Sequence, residues 1–244
     1  MNEFYYRFGR WWPLISPVED YAEEAAFAAE LLRTADREVR SVLELGSGGG
    51  HNAWYLKAHF EMTLVDLSEQ MLAVSQTLNP ECRHLQGDMR STQLNSRFDA
   101  IFVHDAVEYM ASERDLAAAM ETAFVHCQPG GIAVFLPDHT RETFAPSTGH
   151  GGADGPDGRS CRYLEWSHDS DPNESWIQTE YAFIFRDPDG GIEVAHETHK
   201  TGLFSEMTWL RLLREQGFTA ESLHEETDED RPPRTLFIGR VPRD

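Results

Sequence analysis

The stretch "VLELGSGGGHNAWYL", residues 42–56, limits the fold more than any other part of the chain. A short apolar run holding one acid, Glu44, leads into glycines at 46, 48, 49 and 50, and a helical segment follows. Strand, glycine loop and helix make the opening unit of a doubly wound sheet, in which ligands bind beyond the carboxyl ends of the strands. Glycine there permits positive φ and lets a ligand lie against bare main chain, while the helix offers free N–H groups. Two kinds of nucleotide ligand use such a loop, and spacing separates them. A dinucleotide loop wants G-x-G-x-x-G or A, the last small residue letting helix and strand pack. Counted from Gly46 and Gly48, that place is taken by the bulky His51. The pattern present is E-x-G-x-G-x-G, over Glu44, Gly46, Gly48 and Gly50.

The rest of the chain alternates strand and helix as far as Asp138. Helical spacing marks 16–40, followed by strand 41–45 and a helix from His51 to His59. Strand "MTLVDL" (62–67) precedes a helix capped by Ser68 and stopped at Asn79-Pro80. Strands follow at 82–88, 98–107 and 132–138, with a helix between the last two that opens at Ser112 and Asp115. Beyond Asp138 the pattern changes. Residues 139–158 read as a loop rich in Gly and Pro, and 162–169, 176–187 and 191–202 as an antiparallel meander with a hairpin at "DPDGG". A helix capped by Ser205 and two final strands close the chain, with "EETDEDRPPR" (225–234) as a solvated turn. The expected fold is α/β: a doubly wound, mostly parallel seven-stranded sheet with an inserted antiparallel meander after strand five. The expected units are an N-terminal helical lid (1–40), a core (41–138 and 203–244) and an inserted substrate cap (139–202).

Composition narrows the partners. Among 244 residues, 42 acids face 21 Lys and Arg, a net charge of −21. Such a surface repels phosphate backbones and anionic membranes, so no nucleic acid and no membrane is expected as partner; solubility alone also accounts for the excess. Cys82, Cys127 and Cys161 show no paired or metal-type spacing, and no run reaches the ~20 apolar residues of a membrane span. The N-terminus has no signal-type apolar core, so a cytoplasmic protein is expected. No metal is expected: His196 and His199, three apart on a strand, point to opposite faces, and Asp138, His139 and His150 lack a fixed spacing.

With the E-x-G-x-G-x-G loop, four further motifs fall in order. They are Asp66 at the end of strand two, "QGDM" (86–89), "FDAIFVHDAVEYM" (98–110) and "CQPGGIAVF" (127–135). Together they resemble the class I S-adenosylmethionine-dependent methyltransferases. The whole layout is further similar to the branch that methylates the amino group of TDP-linked sugars, through "EDYAEEA" (19–25), "ETF" (142–144), the meander and "TGLFSEMTWLRLLREQGF" (201–218). The resemblance implies S-adenosyl-L-methionine as cofactor, held by Glu44, Gly46, Ser47, Gly48, Asp66, Leu67, Met71, Gly87, Asp88, Met89 and His104. Asp66 would accept the ribose hydroxyls, and Asp88 the adenine amino group. Two places depart from that branch. Asp138-His139 follows Pro137 where an apolar aromatic pair stands, and Leu14 falls near the N-terminal catalytic tyrosine, with Tyr5, Tyr6, Trp11 and Trp12 as stand-ins. Relatives of this kind also imply a homodimer formed through the meander.

The expected function is methyl transfer to N or O of a small metabolite; a non-catalytic S-adenosylmethionine-binding or sensor protein is the alternative. Catalysis would rest on bringing a nucleophile in line with the methyl at ~3 Å in a dry pocket. A proton must also leave an amine or hydroxyl. His139, beside Asp138 past strand five, has the chemistry of that base, and equally that of a loop-capping histidine. Tyr5 is the N-terminal catalytic candidate. Glu108 is either a holder for an ammonium or a solvated acid, and the front aromatics either cover a sulfonium or simply pack. Between Asp138 and Asp189 eleven Asp or Glu meet four Arg and no Lys, a balance that attracts an amine.

Overall fold

The apolar runs of strands one and four form the middle of a sheet buried on both faces. The computed structural model describes residues 4–225 and 234–243. Strand β1 (Ser41–Leu45) pairs in parallel with β2 (Glu61–Asp66) on one side and β4 (Phe98–Val103) on the other. Every residue of β4 is buried, as a run without polar alternation requires. With β3 (Arg83–Gln86), β5 (Cys127–Phe135), β10 (Thr219–His224) and β11 (Thr235–Arg240), the order across the sheet is β10-β11-β5-β4-β1-β2-β3. Only the β10–β11 and β11–β5 pairings are antiparallel. The strand order switches between β1 and β4, which puts the ligand crevice at the carboxyl ends of these two strands.

Alternate side chains feed two cores. Leu43, Leu45, Ile101, Val103 and Phe135 pack under α5 (Glu113–His126) and α6 (Glu206–Glu215), and Val42, Leu64, Phe102 and Val134 under α2 (Ala22–Leu32) and α3 (His51–Leu56). The expected helix starts hold. The hydroxyls of Ser68, Ser112 and Ser205 accept the N–H of Met71, Asp115 and Thr208 at 3.2, 3.1 and 3.2 Å, opening α4 (Glu69–Leu78), α5 and α6. The N-terminal helix is shorter than 16–40. Its first turn is a 3-10 turn at Val18–Tyr21, and past Leu32 the Thr34 hydroxyl bonds back to the Leu31 carbonyl at 2.7 Å. Strand four gives way at Asp105–Tyr109 to a 3-10 turn, and strand five starts at Cys127, five residues earlier than its apolar run.

The insertion is a sheet of its own: β6 (Ser147–Gly151), β7 (Ser160–His168), β8 (Trp176–Arg186) and β9 (Ile192–Gly202), all antiparallel. β6 lies inside the expected 139–158 loop. Its glycines hide it, because the partner strand supplies the missing side chains: a Cβ on Gly149 would fall 2.4 Å from Glu165 Oε1, and one on Gly151 2.7 Å from Tyr163 Oη. The N-terminal turns (Phe4–Phe8, Gly9–Trp11) and α1 (Trp12–Ile15) pack on this sheet and not on the main one. Phe8 stacks on Phe185 at 4.6 Å and Phe4 on Phe183 at 4.9 Å, with Trp11 1% exposed beside them. No helix among the described residues is long and apolar enough to cross a membrane.

Candidate active site

A cleft of about 1020 Å³ opens at the carboxyl ends of β1, β2 and β4, between the main sheet, the N-terminal turns and the inner face of the meander. In the glycine loop, Gly46, Gly48 and Gly50 take φ of 74°, 52° and 76°, a left-handed path that side chains would oppose. The reasons differ by position. A Cβ on Gly46 would fall 2.4 Å from Ala106 Cβ, so that glycine serves packing against the turn after β4. Among the described residues a Cβ on Gly48 would meet only the Met71 Cε atom, at 3.6 Å, and it is here that a ligand can touch the main chain.

Asp66, at the tip of β2, ties the loop down. Its Oδ2 accepts the Gly48 N–H and its Oδ1 the Ser68 N–H, both at 2.8 Å, and the Leu67 N–H adds to them. Burial pushes its pKa up against the pull of those N–H groups. Glu44 lies beneath the loop, 2% exposed, and its Oε2 has no hydrogen-bond partner among the described residues. Burial raises its carboxyl to about 8. Asp88 is engaged differently from Asp66: Arg90 holds it through Nη2 at 2.6 Å and Nε at 3.0 Å and keeps its pKa low. Ser47, Leu67, Met71, Gly87 and Met89 lie on the same wall.

Above the loop sits the N-terminal segment. The Tyr5 carbonyl accepts the Ser68 hydroxyl, and the Trp12 indole lies where a side chain on Gly49 would stand. His51 is accommodated between Trp12 and Tyr21, ring centroids 6.2 and 5.2 Å away, and burial drives its pKa down to about 4.

At the end of β4, His104 joins a buried ionic cluster. Its Nε2 is 2.5 Å from Glu24 and 3.0 Å from Asp105. Burial works against the charge on His104, but Asp105 and Glu24 outweigh it and raise the imidazole to about 9. Arg234, 7% exposed, pairs with Glu24, with Asp138 at 3.3 Å and with Glu225 at 3.4 Å. The two ends of the expected solvated turn, Glu225 and Arg234, are therefore buried; 226–233 lie outside the described residues. Burial and then Asp138 push Asp105 up to about 8, and burial with Asp138 and Asp105 raises Glu108 well above the carboxylate range.

The structure brings Tyr5, Asp138, His139 and His104 to one cleft with the cofactor-side residues. It does not join Asp138 to His139. The Asp138 carboxylate turns to Arg234, the His139 N–H donates to Glu108 Oε1 at 2.9 Å, and the His139 ring lies 5.5 Å from Phe144. Other members escaped the sequence reading: Tyr109, Tyr181, His199 and Glu165 line the cleft, and Arg234 anchors its back. A signal for His199 exists. On β9 the inward places, Glu197 and His199, are buried and polar, which marks a strand facing a lined cavity and not a dry core.

The sequence pattern of the methyltransferase domain family matches residues 42–131. The chain is 31% identical, over 91% of its length and 91% of the other, to dTDP-3-amino-3,4,6-trideoxy-alpha-D-glucopyranose N,N-dimethyltransferase of Streptomyces venezuelae. The chain is a class I S-adenosylmethionine-dependent methyltransferase. The fold of this methyltransferase matches the sugar N-methyltransferase KedS8 of Streptoalloteichus with a TM-score of 0.79, at 28% identity over 93% of this chain and 90% of that one. It also matches the S-adenosylmethionine-bound amino pentose methyltransferase CalS10 of Micromonospora echinaspora, with a TM-score of 0.75 over 91% of each chain, at 24% identity.

The site fits the cofactor of the methyltransferase. Gly48 leaves its cradle open, Asp66 would accept ribose hydroxyls, and Glu44 Oε2, without a hydrogen-bond partner among the described residues, stands at a wall that would meet the cofactor's ammonium. Asp88 would share its carboxylate between Arg90 and the adenine amino group. The enzyme acts by transferring the methyl group of S-adenosyl-L-methionine to N or O of a small molecule.

Proposed function

We propose that the acceptor is the amine nitrogen of a small metabolite of the amino-sugar class. One observation carries this reading. Away from the cofactor end, the described residues of the cleft wall present Asp105, Glu108, Asp138 and Glu165, against Lys200 as the one Lys or Arg. Burial and mutual repulsion raise Asp105 and Glu108, and an ammonium entering beside them would favour their ionised forms, whereas an anion would meet no such partner on this wall. The names of the relatives, which act on dTDP-linked amino sugars, support the same class.

Bound S-adenosylmethionine supplies a methyl on a sulfonium, already attached to a good leaving group. The protein contributes enclosure and aim. Tyr5 and Trp12 close the cofactor end, the inner face of β8 and β9 walls the acceptor end, and the amine is held in line between them. An ammonium must lose a proton before its lone pair can attack. We assign that proton to His139, at the cleft wall and anchored through its backbone by Glu108. His139→Ala should keep cofactor affinity while turnover falls; unaltered turnover would remove it from the chemistry.

Residues 1–40 act as the lid in this reading, 139–202 as the acceptor cap, and 41–138 with 203–244 as the core. The methyltransferase works in the cytoplasm without a nucleic-acid partner. It pairs with a second copy through the outer face of the meander, where Trp166, Ile184 and Val194 are 53, 49 and 70% exposed. Sedimentation velocity tests the pairing. The function is tested by incubating the enzyme and cofactor with dTDP-linked amino sugars, a free amino sugar and their hydroxyl counterparts, followed by mass spectrometry. Methyl gain on nitrogen supports the proposal, and gain confined to the hydroxyl compounds sinks it.

A further inference from the structure

A hydrogen-bonded chain runs through three separate elements of the cleft wall. Tyr5 Oη, from the N-terminal segment, is 2.8 Å from Tyr109 Oη in the turn after β4. Tyr109 Oη is 3.0 Å from Nδ1 of His199 on β9, and His199 Nε2 is 3.2 Å from Glu197 Oε2. His199 and Glu197 are 5 and 9% exposed, while Tyr5, Tyr109 and His199 all face the cleft.

The Glu197 contact sets the polarity when that acid is ionised: a carboxylate only accepts, which selects the tautomer of His199 with its hydrogen on Nε2 and its lone pair on Nδ1. That lone pair takes the Tyr109 O–H, whose oxygen takes the Tyr5 O–H. Each hydrogen then points away from the cleft, and Tyr5 Oη turns only lone pairs toward it. We propose that this relay makes Tyr5 Oη a fixed hydrogen-bond acceptor for an N–H of the acceptor amine, orienting the nitrogen so that its lone pair faces the methyl group. Tyr5 is then the contact residue, and Tyr109 and His199 are positioning residues. The inference rests on the amine reading above.

Surroundings keep the imidazole and the Tyr5 phenol uncharged. Burial lowers His199 to about 4 and raises the Tyr5 phenol above its ordinary value. The groups facing His199 are Glu197 on its own strand, Tyr181 on β8 at 4.7 Å between ring centroids, Tyr5 at 5.8 Å and Tyr109 at 5.9 Å. A neutral imidazole this reluctant to accept a proton orients the amine and does not deprotonate it, so the proton remains with the rim of the cleft. Chemically, the relay asks for an amine that still has an N–H. A primary or secondary amine qualifies, and a tertiary amine does not, so methylation should end at the dimethyl product.

The test combines a spectroscopic and a kinetic arm on the full chain. With nitrogen-15-labelled histidine, the free protein should show the His199 ring as the neutral Nε2–H tautomer at pH 7. A Nδ1–H tautomer would reverse the polarity and overturn the proposal, whatever the acceptor proves to be. Tyr109→Phe frees the Tyr5 O–H to donate into the cleft. It should lower kcat/KM for the amine by roughly tenfold or more while cofactor affinity, read by calorimetry, stays put. His199→Asn, which can place an amide oxygen near the Nδ1 position, should restore most of the rate that His199→Leu loses, with the pH profile unmoved. Equal loss in both His199 variants, unchanged kcat/KM in Tyr109→Phe, or a quaternary ammonium product from the unaltered enzyme would each refute the role. Nitrogen methylation that fails in the unaltered enzyme would instead reject the amine reading and leave the tautomer result standing.

Discussion

Glu44→Gln separates what the fold needs from what the ligand needs. Glu44 is 2% exposed, and burial raises its carboxyl from an ordinary value of 4.5 to about 8, with Asp66 and Glu24 adding to the rise and His104 opposing it. In the unfolded chain the group ionises near its ordinary value. Between these two pH values the folded protein holds a proton that the unfolded chain has released, so stability falls as pH rises through that window and levels off above about 8. At about 1.4 kcal/mol per pH unit the whole window is worth about 5 kcal/mol, and well over half of it is already lost at pH 7. Glutamine keeps the shape of the protonated acid and never ionises. Urea unfolding followed by circular dichroism should therefore find the variant nearly level with the parent near pH 5, increasingly more stable up to about pH 8, and ahead by a constant margin beyond it. Asp105 and Glu108 titrate in both proteins, so the difference between the two curves reports Glu44. Binding should move the other way. The cofactor's ammonium favours an ionised Glu44, so the parent should release a proton on binding at pH 7 and the variant should not, with weaker affinity. A stability difference that stays flat from pH 5 to 9 would refute the burial argument.

Asp66→Ala should weaken S-adenosylmethionine binding by about 2–4 kcal/mol in calorimetric titration, through loss of hydrogen bonds to a charged acceptor and slackening of the Gly48 tether. Unchanged affinity would remove Asp66 from the ribose. Arg234→Met should cost about 3–5 kcal/mol of unfolding free energy, because Glu24, Asp138 and Glu225 lose their buried cation. A loss within about 0.5 kcal/mol, the range of an ordinary surface substitution, would show that the cluster contributes nothing to holding the site together.

The elements around the glycine loop could be read in advance because their information is local. A glycine pattern of fixed spacing, an acid at a strand tip and three serine caps each act within a few residues, and β1, β2, α4, α5 and α6 follow from them. The acceptor end draws on pairs far apart in sequence. Tyr5 meets Tyr109 and Glu24 meets Arg234, contacts that composition and periodicity do not encode. Charge misled at Arg234, where a run of acids and prolines reads as solvated and the structure buries its last residue. Side-chain absence misled at β6, where Glu165 and Tyr163 cover glycines that read as a loop. Adjacency misled at Asp138 and His139, whose side chains find different partners.

Phe4, Phe8 and Trp11 bind the first turns to Phe183 and Phe185, and the same short segment rests Trp12 on the glycine loop while sending Tyr5 to Tyr109. This one short segment therefore touches both ends of the same cleft, so a substitution that loosens Phe4 or Trp11 from the meander should disturb the glycine-loop wall and the Tyr109 wall together.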